Sequence, residues 1–231
     1  MQNIVFIFAR GGSKGLPRKN IKLLNGKPLI SYPIEIAKQL NFVNRIIVST
    51  DDRDIADIAK EHGAEVPFIR PASLAGDQSP EWLAWQHACE FIISKDGEFD
   101  TFISLPATAP LRKVDDVSKA FDFFQVNDFD SVITSVEAKF NPYFTLFKKN
   151  QSGAIELFSQ DESVTRRQDA PKALGIVPVA YVTSPDFILS KSSIWGGSVG
   201  AVEVDPLSSI DIDDKFDFYM AELIAKDHKS H

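Results

Sequence analysis

Cysteine is almost absent from this chain. The single thiol among 231 residues, Cys89, excludes an intrachain disulfide and removes any need for an oxidising compartment. It falls on an apolar helical pattern beside Trp82 and Trp85, so it reads as core, not as a nucleophile. Histidine is scarce as well: His62 and His87 sit in helical patterns as packing or surface residues, while His228 and His231 are expected to fray near the end. No Cys/His cluster has zinc spacing. Internal repeats and low-complexity segments are missing. No hydrophobic run approaches the roughly 20 residues of a membrane span. The first apolar run, IVFIF at residues 4–8, follows only Met1, Gln2 and Asn3 and is soon met by Arg10. Without a basic leader it does not read as a signal peptide, and a cytoplasmic protein with no membrane partner is expected.

Acidic residues are missing from residues 1–34, where Arg10, Lys14, Arg18, Lys19, Lys22 and Lys27 are all basic. The opposite holds late in the chain, where Asp205, Asp211, Asp213, Asp214 and Asp217 crowd around Lys215 alone. The net charge of −7 argues against a nucleic-acid binder. A cationic segment and an anionic one in a small protein suit a polyphosphate ligand and its metal ion, although both could equally be solvated surface. Hydrophobic content of 44% with 25% charged residues is that of a globular protein, long enough to bury a full core. One domain over residues 1–231 is expected.

Short β-branched runs alternate with longer amphipathic ones. IVFIF, RIIVST (45–50), TFISL (101–105) and SVITSV (131–136) read as buried, mostly parallel strands. LISYPIEIAKQL, RDIADIAKEHG, SPEWLAWQHACEFIISK and VDDVSKAFDFFQ carry apolar residues at helical spacing, with Gly63 as a C-terminal stop. This alternation predicts an α/β fold with helices on both faces of the sheet and ligands at the carboxyl ends of strands. The rhythm breaks over 137–176, where FTLFKK and AIELF flank NQSG as a hairpin and a polar run follows. So long a segment predicts a functional excursion, and a lone hairpin needs something to pack on, for instance a second subunit. VPVAYV, SVGAVEV and the helical FDFYMAELIAK close the chain.

The loop after the first strand, ARGGSKGLPRKN at 9–20, carries the clearest chemistry. Gly11, Gly12 and Gly15 permit unusual backbone conformations and close approach. Successive amides there predict an anion nest, with the Ser13 hydroxyl and the charges of Arg10, Lys14 and Lys19 added for phosphate. Neither the dinucleotide fingerprint nor the Walker loop fits the spacing. In SIDIDD, alternation along an extended segment turns Asp211 and Asp213 to one side and Ile210 and Ile212 to the core. One or two carboxylates completed by phosphate and water are what Mg²⁺ requires, and Asp214 is the better candidate for an N-cap on the last helix.

These blocks resemble the CMP-N-acylneuraminate synthetase (acylneuraminate cytidylyltransferase) family. The likeness begins at ARGGSKGLPRKN, continues through NGKPLISYPIEIA, RIIVSTDD and IRPASLAGD, and returns at PATAPLR, RRQDAPK and SIDIDDKFDFYMAE. It implies a three-layer α/β/α fold of nucleotide-diphospho-sugar transferase type with a mostly parallel twisted sheet. It also implies transfer of CMP from CTP to the anomeric hydroxyl of a sialic-acid-type sugar, with release of pyrophosphate. N-acylneuraminate is the first expectation; legionaminate, pseudaminate or an octulosonate are alternatives. By the same resemblance Arg10, Gly11, Gly12, Ser13, Lys14 and Lys19 wrap the triphosphate. Asn20, Arg70 and Asp77 contact the nucleotide, and Asp211 and Asp213 hold Mg²⁺. Arg10, Lys14, Lys19 and Asp211 are then the catalytic set.

On the sugar side the resemblance implies Thr108, Arg112 and Tyr181, with Arg167 reaching the neighbouring subunit's site in a homodimer; Arg112 also suits a structural role. The sequence departs from the family at two sugar-side places. Pro106 stands where a glutamine is usual, and Val177-Pro178 stand where Asn-Gly is usual. Two readings of other classes compete: a glycosyltransferase of similar topology using Asp211-Ile212-Asp213 as its metal motif, and a non-catalytic nucleotide-binding module.

Overall fold

The apolar run that opens the chain divides between two cores, because successive strand residues point to opposite faces. In the computed structural model, which describes residues 1–159, 161 and 164–227, Val5 and Ile7 enter one cluster and Ile4 and Phe6 the other. His228 and His231 lie outside the described residues.

The elements follow in order. Strand β1 (Asn3–Phe8) leads through the glycine-rich loop to the short pair β2 (Leu23–Leu24) and β3 (Lys27–Pro28), helix α1 (Ser31–Ala37), β4 (Arg45–Ser49) and α2 (Arg53–Glu61). Next come α3 (Glu81–Asp96), β5 (Thr101–Ser104), α4 (Val114–Val126) and β6 (Ser131–Glu137). The hairpin β7 (Phe147–Lys149) and β8 (Ile155–Leu157) precedes β9 (Leu174–Thr183), α5 (Pro185–Ser190), β10 (Val199–Glu203) and α6 (Lys215–Asp227). No helix among the described residues is long and apolar enough to cross a membrane.

Six strands form one sheet in the order β10-β6-β9-β5-β1-β4. The pairs β1/β4, β1/β5 and β10/β6 are parallel, while β9 runs antiparallel between β5 and β6. Helices α1, α2 and α4 cover the face that carries Val5, Ile7, Val48 and Ile103. Helices α3 and α5 cover the face of Ile4, Phe6, Ile47 and Phe102, with Trp82, Trp85, Ala88 and Cys89 packed on it. Cys89 is fully buried, as expected of a core thiol. A third cluster, Leu16, Leu24, Leu29, Ile212, Phe218 and Ala221, fastens α6 to the glycine-rich loop and to β2 and β3. The turn between β2 and β3 is Asn25-Gly26 at φ of +48° and +81°, the sequence pair that such a two-residue hairpin favours.

The expected hairpin is present. Strands β7 and β8 pair antiparallel, and Phe140, Phe147, Ile155 and Phe158 around them are each more than half exposed. At its base Glu137 pairs with Leu174, and the Ala138 amide donates to the Ala173 carbonyl at 2.8 Å.

Phe102 has no exposed surface and stacks on Phe6 at 4.6 Å and against Trp85 at 5.0 Å. Replacing it with alanine is expected to cost about 3–5 kcal/mol in urea unfolding; a loss well under ~1 kcal/mol would show that this aromatic stack does not anchor the core.

Candidate active site

Parallel strands deliver their carboxyl ends to one edge of the sheet, and a cleft of about 480 Å³ opens there. The loop after β1 contributes Arg10, Ser13, Lys14, Gly15, Lys19 and Asn20 to it, and the segment before and into α3 contributes Arg70, Asp77 and Glu81. Residues 106–108 after β5, Pro178 and Tyr181 of β9, and Asp211 and Asp213 complete the walls. Residues far apart in sequence and expected to act together are therefore brought to one place.

The cationic loop is tied down at both ends. Arg10 Nη1 lies 2.8 Å from Asp77 Oδ1, and Lys14 Nζ lies 2.6 Å from Asp77 Oδ2. The hydrogen bond from Lys14, with Arg10 adding to it, holds the Asp77 carboxyl below the usual carboxylate range. Asn20 is buried and donates through Nδ2 to the Arg10 carbonyl at 2.9 Å. Lys19 is 9% exposed; its ammonium donates to the Ile212 carbonyl and sits 3.3 Å from Asp213 Oδ1.

Glycine matters here through space more than through φ. None of Gly11, Gly12 and Gly15 has a left-handed backbone, which corrects the expectation of unusual conformations. A Cβ on Gly15, however, would stand 2.2 Å from the Asp213 carbonyl oxygen, and one on Gly11 would stand 2.6 Å from Asp52 Oδ2. The expected anion nest is also corrected in part. The Gly11 amide donates to Asp51 Oδ1 at 3.0 Å and the Ser13 amide to the Gly11 carbonyl at 3.2 Å, because acceptors within the protein lie closer to hand. The charges and the Ser13 hydroxyl face the cleft; those two amides do not present a free cradle.

The acidic doublet is arranged as alternation predicts. Ile212 is fully buried, Ile210 packs partly into the same cluster, and both aspartates line the cleft. The Ile212 amide donates to the Thr108 carbonyl at 2.8 Å. Burial raises the Asp211 carboxyl above its ordinary value, with Asp213 adding to the rise, while a Thr108 hydrogen bond and Lys19 oppose it. Asp211 Oδ1 is buried without a protein partner. An orphaned carboxylate oxygen beside a second carboxylate fits a hard divalent cation. Among the described residues no group of three or more His, Cys, Asp and Glu is placed to hold a metal, so phosphate and water would supply the other ligands. Asp214 caps α6 instead: Oδ1 accepts from the Phe216 and Asp217 amides at 2.7 and 3.0 Å. Asp217 Oδ2 in turn accepts from the Asp213 and Asp214 amides.

Other expected residues divide. Arg70 lines the cleft, 5% exposed and 3.8 Å from Asp51, and burial lowers its pKa from the ordinary value. Tyr181 lines the cleft, and burial pushes its hydroxyl up to about 12. Arg112 does not line it. The guanidinium is buried behind the wall, where Nη2 donates to the Pro106 carbonyl and, at 3.2 Å, to the Pro178 carbonyl. A carbonyl of the loop after β5 and one within β9 hold it there, which fits the structural one of its two expected roles. Arg167 begins a 3₁₀ turn, Arg167–Asp169, in the excursion, exposed and outside this chain's own cleft. Sequence reasoning missed Glu81 at the cleft and Asp51 at the Gly11 amide. A glutamate opening a helix reads as a response to the helix dipole, and nothing in its spacing distinguishes a cleft residue.

The family model described as cytidylyltransferase matches residues 4–170. Post-translational flagellin modification protein B of Campylobacter coli is 37% identical over 224 residues, covering 96% of this chain and 94% of that protein. CMP-N,N'-diacetyllegionaminic acid synthase of Campylobacter jejuni subsp. jejuni serotype O:2 is 35% identical over 222 residues, covering 94% and 92%. In fold, the chain is similar to the solved CMP:2-keto-3-deoxy-manno-octonic acid synthetase complexed with CTP. The TM-score is 0.73 at 17% identity, covering 99% of this chain and all of that one.

Gly15→Ala is expected to lower stability by about 1–3 kcal/mol, because the added methyl meets backbone that cannot rotate away. Thermal unfolding checks this, and an unaltered midpoint would mean that loop and acidic segment are not pressed together.

Proposed function

Because the chain belongs to the cytidylyltransferase family, we propose that it transfers CMP from CTP to the anomeric hydroxyl of a nonulosonic acid and releases pyrophosphate. The observation that carries this reading is the meeting of the basic loop with Asp211 and Asp213 in one cleft. Transfer at phosphorus depends chiefly on alignment and charge neutralisation. Arg10, Lys14 and Lys19 bind the β- and γ-phosphates and stabilise the departing pyrophosphate, with Ser13 adding a hydrogen bond and Gly11 and Gly12 letting the loop close over them. Asn20, Arg70 and Asp77 serve the nucleoside side. Asp211 and Asp213 would hold Mg²⁺, which when bound neutralises phosphate charge and polarises the α-phosphate. Thr108 and Tyr181 stand on the acceptor side. The name of the legionaminate relative supports an N-acylated nonulosonic acid as acceptor, and legionaminate, pseudaminate and N-acetylneuraminate form the panel to screen.

The reading extends to assembly. The exposed aromatic and aliphatic residues on the β7–β8 excursion support a homodimer of single-domain subunits. There Arg167 of each subunit serves its neighbour's acceptor site.

With CTP and a sugar acid, Asp211→Asn is expected to slow pyrophosphate release by at least about a hundredfold with an unchanged unfolding midpoint; turnover at the unsubstituted rate would remove the assignment. Arg10→Ala is expected to weaken CTP binding by about tenfold or more in calorimetry. Subunits carrying Arg167→Ala, mixed with subunits carrying Asp211→Ala, are expected to recover activity as heterodimers. A confirmed heterodimer that stays inactive would place Arg167 outside its neighbour's site.

A further inference from the structure

Two of the three cations assigned to pyrophosphate are already held by one carboxylate. Arg10 Nη1 meets Asp77 Oδ1 at 2.8 Å and Lys14 Nζ meets Asp77 Oδ2 at 2.6 Å, so the two oxygens bridge the two charges as a pair of phosphate oxygens would. The hydrogen bond from Lys14, with Arg10 adding to it, keeps that carboxyl ionised at neutral pH. None of the three side chains is buried: Arg10, Lys14 and Asp77 are 36%, 79% and 37% exposed. Pairs this open to water are individually weak, and an arriving anion can exchange them without opening a core.

The loop that carries Asp77 has no other polar tie to its surroundings. It runs from Pro71 to Pro80 and closes on itself. The Leu74 amide donates to the Pro71 carbonyl at 2.9 Å, the Ala75 amide to the Ala72 carbonyl and the Ser79 amide to the Gly76 carbonyl, both at 3.1 Å. Ser79 Oγ donates to the Ser73 carbonyl at 3.2 Å. Among the described residues, the hydrogen bonds and ion pairs that leave residues 71–79 are those of Asp77. Leu74, Ala75 and Gly76 line the cleft beside it. One wall of the cleft is thus pinned to the glycine-rich loop through the same two cations that the ligand needs.

We propose that Asp77 is a built-in competitor for pyrophosphate. In the empty cleft its carboxylate stands where phosphate oxygens bind, it yields Arg10 and Lys14 to incoming CTP, and it takes them back as pyrophosphate leaves. The inference rests on the function proposed above, in which those two cations bind the β- and γ-phosphates. A polyphosphate carries more charge than one carboxylate and wins the exchange, though with less affinity than unopposed cations would give. Such cations would also hold the departing pyrophosphate longer, and product release limits turnover in many enzymes. Once released by the cations, Asp77 is available to the nucleoside side; free pyrophosphate, which has no nucleoside, isolates the competition.

The test titrates inorganic pyrophosphate into the full-length protein by calorimetry at low ionic strength, where exposed pairs are least screened. Asp77→Asn keeps the shape and loses the charge. It is expected to bind pyrophosphate about threefold to tenfold more tightly, while CMP, which brings no β- or γ-phosphate, gains less than about twofold. Unchanged or weaker pyrophosphate binding would overturn the inference. An equal gain for CMP would overturn it too, because that is the effect of charge across the whole cleft. Asp77→Glu restores the charge and is expected to bind pyrophosphate within about twofold of the unsubstituted protein; a gain as large as that of Asp77→Asn counts against a competing carboxylate. Should Asp77→Asn fail to fold, Asp77→Ser is titrated in its place by the same criteria. If the unsubstituted enzyme releases no pyrophosphate from CTP with any acid of the panel, the functional reading falls and takes this one with it. If it turns over and Asp77→Asn holds pyrophosphate no more tightly, only this one falls.

Discussion

One buried ammonium holds the site together. Lys19 follows the glycine-rich loop, yet its Nζ reaches the Ile212 carbonyl and Asp213, more than 190 positions further along the chain. A lysine so little exposed is costly unless its charge is answered, and here the answer comes from the segment that carries both candidate metal ligands. Gly15 against the Asp213 carbonyl and the Ile212 amide on the Thr108 carbonyl complete the junction. Loops from β1 and β5 and the approach to α6 are thus fixed to one another, and the shape of the cleft between them follows from that fixation.

The charges of the cleft are already balanced within the protein. Asp77 answers Arg10 and Lys14, Asp51 answers Arg70 and the Gly11 amide, and Asp213 answers Lys19. A polyphosphate entering this cleft exchanges one set of ion pairs for another. Such exchange favours ligands carrying several negative charges, because each exposed pair is individually weak.

Much of this was legible in the sequence, for reasons that can be located. Continuous β-branched runs gave buried strands, and 3.6-residue spacing gave the helices that cover them. NQSG marked the hairpin, and two-residue alternation placed Asp211 and Asp213 together with Asp214 as cap. What was not legible depends on long-range geometry. That β9 enters the sheet antiparallel between two strands carries no local signature. Nor could the sequence tell that Asp51 would occupy the Gly11 amide. Whether Arg112 would face the ligand or the Pro106 and Pro178 carbonyls behind it depended on which loops met there. Glu81 was hidden for the same reason, since nothing in its place at a helix start marks it as a residue of the cleft.

The reversed strand has a consequence for how this architecture can vary. Because β9 returns antiparallel beside β6, the excursion leaves and rejoins the sheet at a single zipped stem, Glu137 with Leu174 and Ala138 with Ala173. Lengthening, trimming or exchanging the arm beyond that stem leaves strand registration undisturbed. The arm's exposed surface can therefore be remodelled without moving the sheet edge that lines the cleft.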